Sequence, residues 1–366
     1  MTDRRGLLRR AAVLAAGAAT GAFAMGCVPA AGPMARSGPA QTVLPRWRGF
    51  NLLEMFTTRS DGNFPEDDFR WMADWGFDFV RIPMCYTLWI QNDDVYDVYE
   101  PMLENVDRVV EYGRTYGLHV SLNFHRAPGY SVNRERVEPF NLWKDQAALD
   151  AFCFHWQLFA RRYQGISPEQ LSFDLVNEPP DVSPLMSRQD HERVIRATVQ
   201  AIREIDAQRT IIVDGLAWGR TPLPELADLG VAQSTRAYDP MGVSHYKASW
   251  VDSEAWPEPT WPGPFQNKRW DRQALERHYA PWVKLAQKGV GVHCGEGGAF
   301  CHTPHDVFLS WYRDVLEILY THNIGYALWN LRGTFGVLDS GREDVDYEDW
   351  HGHKLDRKLL TLLQEH

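Results

Sequence analysis

Apolar positions along this chain change their period many times. From Pro45 onward, short β-type runs with little polar interruption alternate with longer stretches whose apolar residues recur every three or four places. WRGFNLL (47–53) precedes FPEDDFRWMADWG, FDFVRIPM (77–84) precedes YEPMLENVDRVVEYGRTYG, and LHVSLNFH (118–125) precedes LWKDQAALDAFCFHWQLFARRYQ. LSFDLVNE (171–178) leads to a helix predicted near 187–206, TIIVDGLAW (210–218) to a short one near 223–229, and MGVSH (241–245) to WDRQALERHYAPWVKLAQKG. VGVHCGE (290–296) with PHDVFLSWYRDVLEILYTHN, and IGYALWN (324–330) with HKLDRKLLTLLQE, complete the series.

In the stretch 303–322, Val307, Trp311, Val315 and Leu319 fall four apart, an apolar stripe that needs a sheet to lie on. Runs that are apolar on both faces suit parallel strands covered by helices. Eight strand-then-helix units, with no Gly-rich phosphate loop after the first strand, predict an α/β fold of the closed (β/α)8 TIM-barrel type, one domain over residues 45–366. SWVDSEAWPEPTWPGPF (249–265) reads as a long loop after the sixth strand, on the face where barrel sites form.

The opening segment, MTDRRGLLRRAAVLAAGAATGAFAMGC, has a basic start and an Ala/Leu/Gly-rich middle from Ala11 to Met25. That layout predicts an export signal and linker over residues 1–40, too short and too weakly apolar for a membrane span. Arg4-Arg5-Gly6-Leu7-Leu8 resembles a twin-arginine signal, and Ala24-Met25-Gly26-Cys27 resembles a lipoprotein cleavage box. The expected location is the periplasm or the cell exterior, with a lipid on Cys27 as the one expected membrane attachment. Whether the remaining cysteines, Cys85, Cys153, Cys294 and Cys301, pair is open at this level.

Charge narrows the ligand. The whole chain carries −10, and without residues 1–40 it holds 33 basic against 47 acidic residues, a net −14. Such a surface repels phosphate backbones and anionic lipid, so nucleic acid is not an expected partner and a neutral ligand fits better. With 15 Trp and 13% aromatic residues, the chain is well supplied with flat rings suited to the apolar faces of sugars. A monomer acting on carbohydrate is expected.

In a barrel, residues at the carboxyl ends of the strands converge on one bowl. Here they are Asn51, Arg81, His125 with Arg126, Asn177 with Glu178, His245 with Tyr246, Glu296, and Trp329. Polar groups closing apolar strands are costly to desolvate, so their gathering points to a site. Glu178 and Glu296, 118 positions apart, would face each other from strands four and seven. Two carboxyls can cleave an acetal, one protonating the departing oxygen and the other attacking or stabilising the oxocarbenium-like carbon. Arg81 is expected to hold Glu296 ionised, and that negative neighbour to raise the proton affinity of Glu178.

The string NEP at 177–179 after a strand, a second glutamate after an apolar β run, and a Trp ending the eighth strand together resemble the retaining glycosidases of glycoside hydrolase family 5, the cellulase family. The resemblance runs from about residue 45 to 366. It implies Glu178 as acid/base and Glu296 as nucleophile. It further implies Asn177 on the sugar 2-hydroxyl, Arg81 orienting Glu296, His125 and His245 lining the cleavage subsite, and Trp329 as its floor. That family commonly has a tyrosine two residues after its sixth-strand histidine. Counted from His245 this position is Lys247, so Tyr246 is the expected partner of the nucleophile, and Lys247 bears on substrate choice.

The expected activity is therefore cellulase-like double-displacement hydrolysis of a β-glucan. A β-mannanase, an exo-acting or oligosaccharide-directed β-glycosidase, and a non-catalytic carbohydrate-binding barrel are the alternatives. No cofactor or metal is expected: His293, Cys294, Cys301, His302 and His305 suggest zinc by type but not by spacing. Strand alternation would turn Cys294 and Glu296 to the same side. The acidic run FGVLDSGREDVDYEDW (335–350) is a solvated loop or, through Asp339 or Asp344, a clasp for sugar hydroxyls or calcium.

Overall fold

A computed structural model describes residues 43–133 and 137–366. The export-signal and Cys27 expectations lie outside the described residues.

Eight strands close into a ring: β1 (Arg48–Asn51), β2 (Phe79–Cys85), β3 (His119–Ala127), β4 (Leu171–Asp174), β5 (Thr210–Asp214), β6 (Ala232–Ala237), β7 (Val292–Gly297) and β8 (Gly325–Leu328). Each pairs in parallel with its neighbours in chain order, and β8 pairs with β1 to close the barrel. The long helices packed around it are α1 (Glu66–Asp74), α2 (Glu100–Tyr116), α3 (Gln146–Arg162), α4 (Arg188–Arg203), α5 (Arg272–Ala286), α6 (His305–Thr321) and α7 (Arg357–Glu365). No long helix follows β5, which leads instead into a four-residue helical turn, Leu216–Gly219, and a 3-10 turn, Pro224–Leu229.

Local signals set the element ends. Ser187 caps α4 reciprocally with Asp190, Asp271 caps α5, and Asp356 caps α7, each accepting a backbone N–H of the first turn. Gly117 ends α2 in a left-handed conformation that suits glycine. On α6 the apolar stripe is buried, with Phe308, Trp311, Tyr312, Val315 and Leu319 against the barrel wall. At the amino end of the barrel, Trp47 stacks on His119 at 3.6 Å between centroids, and Phe79 packs against His119 and His293. That end is closed, which leaves the carboxyl end for chemistry.

The sixth strand is not where periodicity placed it. MGVS (241–244) is a single helical turn, and the strand is the preceding AQSTRA, fully buried although mostly polar. Its outward side chains find partners in the layer outside the barrel. Gln233 exchanges hydrogen bonds with the N–H and C=O of Leu223, and the Thr235 hydroxyl donates to Gly219 O. Hydrogen bonding inside the fold thus replaces the apolar pattern that a buried strand normally shows. The loop 249–265 does follow this strand, and part of it forms a short ribbon, Gly263–Phe265 with Lys268–Trp270.

β7 carries a bulge. Cys294 pairs with Thr235 and Glu296 with Arg236, so Gly295 is an extra residue. This overturns the expectation that Cys294 and Glu296 share a side. Cys294 belongs to the apolar core near Tyr279 and Tyr312 on the outer helices, and Glu296 turns inward. Burial pushes the Cys294 thiol up to about 12, so it is an inert core thiol. All four described cysteines are free, and the described residues include no group of three or more His, Cys, Asp or Glu placed to hold a metal.

Candidate active site

Two buried arginines organise the carboxyl end of the barrel. Arg81, from β2, donates through Nε to Asp174 Oδ2 (2.7 Å), through Nη1 to Glu296 Oε1 (2.6 Å) and Asn51 Oδ1 (3.1 Å), and through Nη2 to Asn177 Oδ1 (2.9 Å). Asn51 in turn donates to the carbonyls of Gly295 and Leu328, both at 3.0 Å, which fixes the bulge beside Glu296. Arg236, from β6, is held by both oxygens of Asp214. It donates through Nε to Glu178 Oε1 (3.0 Å) and through Nη2 to Asn177 Oδ1 (3.0 Å), and Nη2 also lies 3.3 Å from Glu296 Oε1. The two glutamates therefore meet at one guanidinium.

Glu178 is positioned by strained backbone. Its φ is 48°, uncommon for a residue with a side chain. Its N–H donates to Asp214 Oδ2 (2.8 Å), and its carbonyl accepts from the Tyr130 hydroxyl (2.6 Å). The two prolines that follow have no N–H of their own, and their carbonyls accept from Trp218 and Ala217, tying this loop to the one after β5. Burial, then the neighbouring charge of Glu296, push the Glu178 carboxyl up to about 7, against the opposing pull of Arg236.

Glu296 Oε2 accepts from Tyr238 at 3.1 Å. Burial and the charges of Glu296 and Glu178 hold that phenol well above its usual range, so it stays a donor. Tyr246, the expected partner, is not the one used. It follows the single-turn helix, with the Lys247 ammonium 5.0 Å over its ring. Tyr238 also revises the reading of its own strand, because the position two residues before it is Arg236, where the family pattern has histidine.

The other expected residues gather here. His125 Nε2 lies 3.4 Å from Asn177 Nδ2, and its ring packs near Trp329 and Phe56. Burial and the nearby Arg81 hold the His125 imidazole neutral, and its Nδ1 is buried with no partner among the described residues. Trp329 is half-buried and meets Phe56 edge-on at 5.3 Å. His245 reaches the site from outside the barrel strands, its ring 5.1 Å from Tyr238, with burial lowering it to about 4. Beyond it lie Phe335 and the exposed Trp250. The acidic loop serves the chain itself. Asp344 accepts from the His305 N–H, and Asp339 accepts from His353 Nδ1 (2.7 Å) and the Lys354 N–H (2.9 Å).

Sequence reading missed Asp174, Asp214, Arg236 and Tyr238. The two aspartates were detectable as lone charges inside the apolar runs LSFDLV and TIIVDG. Arg236 and Tyr238 were hidden by the misplaced strand.

Comparison with known proteins agrees with this architecture. The model of the cellulase family, glycosyl hydrolase family 5, matches residues 40–334. A crystal structure of a glycoside hydrolase is 43% identical and superposes with a TM-score of 0.84 over 87% of this chain and 99% of its own. Endoglucanase C of Acetivibrio thermocellus is 27% identical over 310 residues, 77% of this chain and 88% of that protein. Endoglucanase Cel5A of Thermotoga maritima, at 22% identity and a TM-score of 0.70 over 87% and 96% of the two chains, shares the fold. The chain belongs to glycoside hydrolase family 5 and is a glycoside hydrolase.

Proposed function

We propose that this enzyme hydrolyses internal bonds of a β-glucan by double displacement with retention, Glu178 acting as acid/base and Glu296 as nucleophile. The observation that carries the reading is the meeting of both carboxyls, one from the loop after β4 and one from β7, at the Arg236 guanidinium. One cation in contact with both fits the separation of about 5 Å used for retention better than the roughly 6.5–9.5 Å of inversion. Retention also needs one acid protonated and the other charged. Burial and Glu296 keep a proton on Glu178, while the Arg81 and Arg236 guanidinium groups lie 2.6 and 3.3 Å from Glu296 Oε1.

In the first step Glu296 attacks the anomeric carbon, the Glu178 proton passes to the departing oxygen, and a glycosyl-enzyme forms. In the second, Glu178 takes a proton from water, which attacks the same carbon and releases Glu296. Asn177, gripped by both arginines through its Oδ1 and with Nδ2 3.4 Å from His125 Nε2, would present the second N–H of that amide to the 2-hydroxyl of the sugar. His125 and Trp329 line the ring subsite, with His245 and Tyr246 along its border. β-Glucan is favoured as substrate because the endoglucanase from Acetivibrio thermocellus matches over most of both chains.

The test is hydrolysis of soluble β-glucans, mannan and nitrophenyl β-glycosides, with the anomer released followed by NMR. Binding without turnover at any pH would sink the enzyme reading. An α-product would sink retention.

We further read residues 1–40 as the export signal, with lipid on Cys27, and the enzyme as a monomer. No described helix is long and apolar enough to cross a membrane. Labelling with a fatty-acid probe, lost on Cys27→Ser, together with light scattering of the processed chain, tests both points.

A further inference from the structure

We infer that Arg236 and Asp214 form an opposed pair of positioning residues that sets which oxygen of Glu178 carries the transferable proton, and the pH range over which it does so. The inference rests on the acid/base role proposed for Glu178.

The geometry is specific to this chain's arginine. Arg236 Nε–H occupies Glu178 Oε1 at 3.0 Å, so that oxygen is an acceptor and a proton on the carboxyl belongs on Oε2. At Glu296 the same guanidinium and Arg81 both lie on Oε1, at 3.3 and 2.6 Å, whereas Oε2 has the neutral phenol of Tyr238. Oε2 of Glu296 is therefore the less stabilised oxygen and the one available to attack. One side chain thus assigns a working oxygen on each glutamate.

The fold makes room for it. A Cβ on Gly219 would lie 2.6 Å from Arg236 Cγ, and one on Gly295 3.2 Å from Arg236 Nη1. Nη1 is further held by Ser234 Oγ at 2.8 Å. Asp214 binds both outer nitrogens and also accepts the Glu178 N–H, so it fixes the guanidinium and the strained backbone of the acid together.

The two members act on Glu178 in opposite senses. Arg236, a permanent cation, favours its anion, and Asp214 favours its protonated form. The groups facing Glu178 are Arg236 from β6, Asp214 from β5, Glu296 from β7, and the phenols of Tyr130 and Tyr238. Asp174 from β4 and Arg81 from β2 complete the cluster.

The experiment compares pH profiles of kcat/KM on a nitrophenyl β-glycoside and on a soluble β-glucan for wild type, Arg236→Gln, Asp214→Asn, Arg236→Lys and the double variant Arg236→Gln/Asp214→Asn. Arg236→Gln is expected to move the alkaline limb up by about one pH unit, and Asp214→Asn to move it down by a similar amount. Arg236→Lys keeps the limb near wild type but lowers kcat, most for the poor leaving group, because the fork that assigns the oxygens is lost. If Arg236→Gln does not fold, the double variant avoids leaving Asp214 unpaired. Its limb should then lie above that of Asp214→Asn alone. Limbs that stay put, or move together, with only lost activity or melting temperature would overturn the inference and make the pair structural. A wild type with no turnover on any of these substrates would instead remove the acid/base reading on which it depends.

Discussion

The Tyr238 hydroxyl donates to Glu296 Oε2 at 3.1 Å, although Tyr238 lies just beyond a strand whose composition conceals it. A hydrogen bond to an ionised group contributes on the order of 1.5–3 kcal/mol. Tyr238→Phe should therefore lower kcat/KM about 10- to 100-fold, and Tyr246→Phe less than about threefold. Steady-state kinetics on one aryl glycoside suffice; equal losses from both would return the role to Tyr246.

Removing either carboxyl should leave a different signature. Glu178→Ala should cost about 10²–10⁴-fold on glucans, which need a donated proton, and much less on dinitrophenyl glycosides in the first step. Glu296→Ala should abolish turnover of both. Added azide should then yield a β-glycosyl azide with the first variant and an α-glycosyl azide from an activated β-glycoside with the second. Product stereochemistry by NMR reads the assignment directly.

The acid limits activity at high pH. Glu178 must be protonated to donate, and its carboxyl is pushed up to about 7, so kcat/KM should fall tenfold per pH unit once pH rises well past 7. A profile flat to pH 9 would contradict it.

A second buried acid, away from the chemistry, links stability to pH. Glu54 Oε2 is buried with no hydrogen-bond partner among the described residues, and burial pushes the carboxyl up to about 7 from 4.5. The folded state holds this proton more tightly than the unfolded chain, so its contribution is complete below about pH 4.5 and lost as pH rises through 7. Glu54→Gln should leave melting at pH 4.5 nearly unchanged and stabilise at pH 8 by roughly 1–3 kcal/mol, the lower end reflecting partial exposure of the side chain. Calorimetry at both pH values checks the sign.

Gly295 leaves no room for a side chain. An added Cβ would fall 2.6 Å from Ser234 Oγ and 3.2 Å from Arg236 Nη1. Gly295→Ala should cost about 1–3 kcal/mol of stability and, by displacing the guanidinium, a larger share of activity. Melting temperature and kcat measured together separate the two.

What could be read from sequence follows from what each strand buries. β2, β3, β4, β5 and β8 show as largely apolar runs because many of their side chains join the apolar core, and Glu178 and Glu296 stand out as acids at the ends of strand-like runs. β6 gives no such signal, since Gln233, Thr235 and Arg236 are satisfied by partners 10 to 59 residues away in sequence. Periodicity then favours the nearby MGVS. The bulge at Gly295 is equally invisible, because one extra residue leaves composition unchanged while reversing which side chains face inward.

The left-handed backbone at Glu178 makes its aim a shared property of two strands, since Asp214 holds the amide and the carbonyls of Pro179 and Pro180 are gripped from the turn after β5. In chimaeras with other members of the family, a crossover between residues 181 and 209 would part the acid from the groups that hold its direction. A junction beyond Thr221 would carry both into the hybrid, so the natural unit of exchange in this barrel is the pair of strands rather than the single one.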